Sequence, residues 1–441
     1  MVQMKYFLAC LLITFFLIFS VSLTSFGADA VRIGVVGAMK ISDGKEIWNG
    51  ALMAAEKINQ RGGIQVGQKR MKIRLIKADS NEFLNVDYAT NTIEMLLMQN
   101  MVDFIVGGYR NEAALAMQDV AMDYKKIYIS IGAAMPELSQ RVAQNYGRYK
   151  YYFRGGTLNY YHISQACFLQ LDYVAKVLRK KFKTKTIKVA IAAEKESWAD
   201  VMIEEALKNF PKMGLELVGT FRFSSTAKDV SSDILKITRS RAPLVLTLFS
   251  GEVGNSFITQ AFDHKLPAVI LGLNLEAQRG DFWEKTDGKA NYVIALAPFA
   301  PGVEISSQTK PFIEKYSQQF GDIPSYIAAG TYSTIANILA PAIEQAGSLN
   351  PDLLVNIIEN NIYMTPQGVW AYEKDKLGRH LHDLKFGEKF AMVLGIQWLN
   401  GEMKGIWPNN YVEKPGAQPL TYKGIVDLEI PPLIIKAYKK K

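Results

Sequence analysis

The chain has 441 residues, 49% of them hydrophobic and 21% charged, with a formal net charge of +9. That length accommodates about two or three domains, and the composition excludes a chain disordered away from its ends. Apart from Arg179-Lys180-Lys181 and Lys439-Lys440-Lys441 the basic residues are scattered. No nucleic-acid motif accompanies them, so the excess charge reads as solubility or a mild attraction for anionic solutes and surfaces.

The first thirty residues stand apart. Lys5 is followed by an almost wholly apolar run from Tyr6 to Phe19, then by small and polar residues ending in Ala28-Asp29-Ala30. This is the layout of a secretory signal peptide, with cleavage after Ala30 or after Gly27. An uncleaved anchor is the competing reading, since Tyr6 to Leu23 spans 18 residues, near the lower limit for crossing a bilayer. Removing the leader takes away Lys5 and Asp29, which cancel, and Cys10, which leaves Cys167 alone. No intramolecular disulfide can then form. Cys167 sits in a helical pattern and is expected to be buried rather than reactive.

From Val31 onward strands alternate with helices. Val31–Val36 is a short apolar run, and Glu46–Asn59 is an amphipathic helix ended by Gly62-Gly63. Met71–Ala78 reads as a strand and Asp87–Gln99 as a helix. Asp103–Val106 and Ile127–Ile131 are apolar strands ending in Gly107-Gly108 and Gly132-Ala133-Ala134, with a helical pattern over Ala113–Tyr124 between them. A break follows near Phe153-Arg154-Gly155-Gly156, and a second strand–helix series begins at Tyr160. Its strands are Ile187–Ala192, Leu215–Phe223, Leu244–Phe249, Ala268–Gly272 and Tyr292–Ala297, with Pro298 and Pro301 marking another break. Helices Gln308–Phe320, Tyr332–Ala346 and Asp352–Asn360 follow, then strands Val369–Tyr372 and Ala391–Leu399. The alternation implies βαβ units and parallel sheets in an α/β fold. Prolines at 415, 419, 431 and 432 keep Pro408–Lys441 from forming a long helix. Its apolar pieces suggest a tail packed on the body.

In open α/β sheets ligands sit beyond the carboxyl ends of the strands, where small residues let a solute approach the main chain. The turns after Val106 and Ile131 fit that place. Together with VRIGVVGAM at Val31–Met39, AAEKINQRGGI at Ala54–Ile64, VGG at Val106–Gly108, AAMPELS at Ala133–Ser139 and TYSTIANILAPAIEQAG at Thr331–Gly347, the chain resembles the type I periplasmic solute-binding proteins of ABC importers, in the leucine/isoleucine/valine-binding branch. The resemblance runs from about Val31 to Trp398. It implies two doubly wound parallel-sheet lobes joined by a hinge that the chain crosses three times, near Arg154, Pro298 and Val369. Lobe one would be residues 31–153 plus 299–368, lobe two 155–297 plus 369–407, with a tail over 408–441.

The resemblance also implies ligand-binding positions, with departures. The family's serine after the VGG-type turn falls at Asn111, and its small-residue run falls at Gly132, Ala133 and Ala134, where Ala134 lacks the usual hydroxyl. Lobe two's aromatic wall falls at Trp198 and a second tyrosine near Ser250. The acidic group that clamps an amino-acid ammonium falls near Asn274, which is neutral. A buried ammonium without a carboxylate partner is costly, so either Glu252 or Glu276 substitutes, or the solute carries no ammonium. The expected solute is therefore amino-acid-like or a carboxylate, other than a standard branched-chain amino acid. Asn111, main-chain N–H groups and an arginine would hold it, with Tyr109, Arg110 and Arg154 at hand.

Catalytic motifs are missing: there is no G-x-S-x-G, no phosphate-binding loop and no C-x-x-C. His380-Leu381-His382-Asp383 could offer metal ligands, but in a polar turn they read as solvated. The sequence thus predicts a monomeric periplasmic receptor with no cofactor, metal or nucleic acid, passing a small solute to ABC permease subunits in the membrane. The alternative is a ligand-sensing module of the same fold that signals to a membrane partner.

Overall fold

The computed structural model describes residues 30–413 and 416–438. The expected leader lies outside them save for Ala30, as do the three final lysines. The first lobe is built on β1 (Ala30–Gly37), β2 (Ile64–Val66), β3 (Lys69–Asp79), β4 (Phe104–Gly107), β5 (Ile127–Ser130) and β6 (Tyr152–Arg154), in the spatial order β2-β3-β1-β4-β5-β6. All neighbours are parallel except the β2–β3 hairpin. The central strands FIVG and IYIS are buried along their whole length, as a parallel sheet covered by helices on both faces requires. Gly107 ends β4 at φ 129°, and a Cβ there would collide with the Val36 carbonyl. This is a backbone shape that only glycine adopts freely.

The second lobe holds β7 (Ile187–Glu194), β8 (Leu215–Phe223), β9 (Leu244–Phe249) and β10 (Val269–Asn274), all parallel, in the order β10-β9-β7-β8. β11 (Ile294–Ala297) leads out of it. Two short hairpins follow the lobe-one helices: β12 (Tyr363–Thr365) with β13 (Gly368–Trp370), and β14 (Tyr372–Lys374) with β15 (His380–Leu384). β16 (Leu394–Leu399) and β17 (Glu402–Trp407) return to β11 as a small antiparallel sheet.

The third crossing differs from the one expected near Val369. Trp370, Tyr372 and Leu384 are buried in the first lobe's core, while Leu394, Ile396 and Trp398 belong to the second. The chain therefore changes lobes between Leu384 and Leu394. β15 is tied back to β6 by the buried Arg154–Asp383 pair, 2.6 Å between Nε and Oδ1, and Asp383 Oδ2 also accepts from Asn159 Nδ2 at 2.9 Å, at the head of the first lobe-two helix.

The helix expected over Tyr332–Ala346 begins earlier, at Tyr326, and widens into a π-helical stretch at Thr334–Leu339. Pro341 lies just beyond. It lacks an N–H and its ring crowds the carbonyl four residues back, and a wider turn relieves both problems. The tail packs on lobe two. Val426 donates to Gly405 O at 2.8 Å, Glu429 and Gln397 exchange hydrogen bonds, and Ile434 is 1% exposed in the second lobe's core. Cys167 is buried, and burial pushes its thiol up to about 12. Among the described residues no helix is long and apolar enough to cross a membrane.

Candidate functional site

A cleft of about 480 Å³ lies between the lobes, bordered by the segments that follow the carboxyl ends of β4, β5, β7, β9 and β10. On the lobe-one side the loop after β4 is pinned by Glu82. Its carboxylate accepts hydrogen bonds from Tyr109 N (3.0 Å), Arg110 N (2.9 Å) and Ser80 Oγ (3.0 Å). Burial raises its pKa, and these donors act in the opposite sense. The loop after β5 is held by Asn111. Its Oδ1 accepts from Ala134 N and Met135 N, each at 3.1 Å, while Nδ2 donates to Tyr160 Oη at 2.6 Å. Behind that loop the fully buried Arg154 donates to Ala133 O and, at 2.8 Å, to Met135 O.

Lobe two uses the same device. Glu194, at the end of β7 and fully buried, accepts from Ser250 N (2.8 Å), Ser250 Oγ (2.7 Å) and Gly251 N (2.6 Å). Trp198, in the first turn of helix Ser197–Asn209, and Leu275, after β10, complete that wall. Six aromatic side chains line the cleft: Phe83, Tyr109, Tyr160, Trp198, Tyr326 and Trp370. Burial pushes the Tyr109 and Tyr326 phenols well above their ordinary range, so both hydroxyls keep their protons; they hydrogen-bond each other, which leaves one hydrogen of the pair to donate.

Of the residues singled out in the sequence, Tyr109, Asn111, Gly132, Ala134, Trp198 and Ser250 line this cleft. Ala133, Arg154 and Asn274 do not. Ala133 is fully buried, with its carbonyl turned to Arg154. Arg154 is spent on Asp383 and on loop carbonyls, so it shapes the wall from behind and is no solute contact. Asn274 is 1% exposed and lies against Gly254; among the described residues neither of its amide atoms has a hydrogen-bond partner. The proposed substitutes for the ammonium clamp also fall outside the cleft lining. Glu252 is exposed, and Glu276 pairs with Lys285 at 3.3 Å. Sequence reasoning missed Glu82 and Glu194, each a single acid at or just past a strand end, and also Gln367, which lines the cleft and whose buried Oε1 has no partner among the described residues.

The lobes also meet at the cleft mouth. Arg279 of lobe two donates to Ser42 Oγ of lobe one, and its guanidinium lies 3.9 Å from Asp43 and 4.0 Å from Glu46. Burial is the first cause that raises both acids, Glu46 to about 8.

Pinned strand-end loops from two lobes border one shared cleft, and the comparisons with known proteins place that architecture in a family. The model of the family described as "Periplasmic binding protein" matches residues 30–388. The chain belongs to that family. It is a type I periplasmic binding protein of the branched-chain amino acid group. A Leu/Ile/Val-binding protein homolog from Brucella abortus is 21% identical, with 83% of this chain and 88% of that protein covered. A leucine-, isoleucine-, valine-, threonine- and alanine-binding protein from Pseudomonas aeruginosa is 23% identical over 79% of this chain and 87% of its own length. Among solved structures, LivJ from Streptococcus pneumoniae with isoleucine superposes with a TM-score of 0.68 at 18% identity, covering 85% and 97% of the two chains. A solute-binding protein from R. palustris with benzoate gives 0.68 at 15%, covering 90% and 99%. For this binding protein those likenesses establish the fold; its solute has to be argued from its own cleft.

Proposed function

We propose that this binding protein is the extracytoplasmic receptor of an ABC importer. It captures a small aromatic or branched apolar solute carrying one polar or singly anionic end, and delivers it by hinge closure to permease subunits in the membrane. It reaches the periplasm through a cleaved leader, acts as a monomer and does no bond chemistry. The observation that carries the solute class is how the cleft's charge is distributed. The buried carboxylates behind its strand-end loops, Glu82 and Glu194, are outside its lining and already saturated by loop N–H and hydroxyl donors. The Ala134 and Met135 N–H groups, which could hold a solute carboxylate, are taken by the Asn111 amide. The acids that do line it, Glu112 and Glu196, are exposed. The two acids at the mouth, Asp43 and Glu46, face Arg279, so an ammonium would lose its water in the cleft without a free buried partner, which is costly. Six rings instead supply a surface on which an aromatic or branched group packs. The paired Tyr109 and Tyr326 hydroxyls and the Gln367 side chain stand among the lining residues to meet the polar end, with Arg110 the one cation in that lining.

This narrows the sequence reading, because the arginine expected to hold a carboxylate is not Arg154. It also accords with the benzoate-bound R. palustris protein rather than the isoleucine-bound one. The sensor alternative, a module of the same fold that signals to a membrane partner, would use the tail as its docking element; the tail packs on lobe two. A thermal-shift screen of aliphatic and aromatic acids, amides and amino acids tests the proposal. A ligand at 100 times its dissociation constant adds about 2.7 kcal/mol, and Trp198→Ala should remove most of that shift while leaving the unliganded transition in place. Stabilisation by leucine, isoleucine or valine, with none by any aromatic or branched acid, would contradict it.

A further inference from the structure

Away from the cleft, where β15 packs on lobe one, three ligating side chains converge. His380 and His382 are two apart on that strand, and His382 stands at φ 52°, in a hairpin whose register shifts. Glu359, at the end of helix Pro351–Asn360, lies between them. Its Oε2 is 2.9 Å from His382 Nε2 and 3.4 Å from His380 Nδ1, and the ligand atoms of all three residues lie within 4.8 Å of one another. The turn expected to be solvated is thus packed: His382 is fully buried, stacked on Phe153 at 4.0 Å, and the Glu359 side chain is 6% exposed.

The hydrogen bonds around His382 leave something to be supplied. Its Nδ1 is 2.8 Å from Tyr152 O, a carbonyl that can only accept, so Nδ1 carries a hydrogen. Its Nε2 faces a carboxylate oxygen that already accepts from Tyr146 Oη at 2.9 Å. A neutral imidazole donates once, so a second positive occupant is required between Nε2 and the carboxylate: a proton, or a metal ion. His380 Nδ1 is buried and has no hydrogen-bond partner among the described residues.

We infer that Glu359, His380 and His382 form a site for a divalent transition-metal ion of the zinc type. Two imidazole nitrogens and one carboxylate oxygen are a donor set that suits zinc. The Nδ1–H to carbonyl contact of His382 is the outer-shell bond that metal-ligating histidines ordinarily make. Ligands about 2.1 Å from a tetrahedral ion stand about 3.4 Å apart. The His380 contact already has that length, and the His382 contact must open by about half an ångström. The ion would staple the end of helix Pro351–Asn360 to the strand leading into the third crossing. The residual exposure of His380 gives it a way in.

The full exported chain, stripped with a chelator, is titrated with Zn²⁺ by calorimetry, and its metal content is measured after desalting. Co²⁺ serves as a spectroscopic probe of tetrahedral nitrogen and oxygen ligation. The expected result is one equivalent retained, a raised melting temperature, and an affinity at least tenfold weaker in His380→Ala and in Glu359→Gln. His264→Ala, an exposed histidine elsewhere, should bind as the unsubstituted chain does. Circular dichroism of the metal-free variants confirms that they fold. Failure to retain one equivalent overturns the inference, as does stoichiometric binding left unchanged by either cluster variant.

Discussion

Replacing Arg279 by alanine should favour the open form of this binding protein without unfolding either lobe. The side chain is 21% exposed and is the polar link described above between the lobes at the cleft mouth, donating to Ser42 Oγ beside Asp43 and Glu46. A hydrogen bond from a charged group contributes ~1.5–3 kcal/mol, and partly exposed ion pairs near 4 Å add little beyond it. Losing that amount from the closed form alone moves the closure equilibrium roughly 10- to 150-fold toward open. Each lobe keeps its own core, so the melting temperature should change by a few degrees at most. Spin labels introduced at Asp123→Cys and Lys212→Cys, both exposed and on opposite lobes, report the separation by pulsed electron resonance; Cys167 is buried and should not react. Arg279→Ala should broaden the distance distribution toward longer values. A distribution superimposable on that of the same labelled chain with Arg279 intact would refute the reasoning.

Glu46 makes stability depend on pH. Its folded-state pKa is raised from 4.5 to about 8, chiefly by burial, so the folded state holds the proton more tightly than the unfolded chain. Its stabilising contribution is complete below about pH 4.5 and is lost as pH rises through about 8. Urea midpoints should fall across that window, and Glu46→Gln should flatten the fall. Glu194→Ala leaves the N–H groups of Ser250 and Gly251 without their acceptor; at ~1–3 kcal/mol for each unmet donor, urea unfolding should show a loss of ~2–6 kcal/mol. Asn111→Ala uncovers the N–H groups of Ala134 and Met135. Unliganded stability should drop by ~1–3 kcal/mol, and the thermal shift produced by a carboxylate such as benzoate should grow, because its oxygen takes the vacated place.

The sheets were legible because buried parallel strands are near-continuous apolar runs, and Gly107-Gly108 and Gly132 punctuate them as strand-end turns. Trp198 was reached through the family resemblance, and Tyr109 as a side chain at hand beside the VGG turn. What stayed hidden are pairings across long separations. Arg154 finds Asp383 229 residues later, and that contact removes Arg154 from the cleft. Glu82 and Glu194 look in sequence like any surface acid; they matter because the fold aims two loop N–H groups at each. His380 and His382 sit in a run of charged residues that reads as solvent-facing, and only the packing of β15 on β6 and on helix Pro351–Asn360 reveals their burial.

The central claim is that the cleft selects an aromatic or branched apolar solute by its rings and rejects a zwitterion for want of a buried ionic partner. Calorimetric titration of the unliganded chain with benzoate and, separately, with leucine tests it most directly. Saturable binding of benzoate that Trp198→Ala weakens at least tenfold, with no heat from leucine, is the predicted result. Tight leucine binding, with benzoate silent, would contradict it.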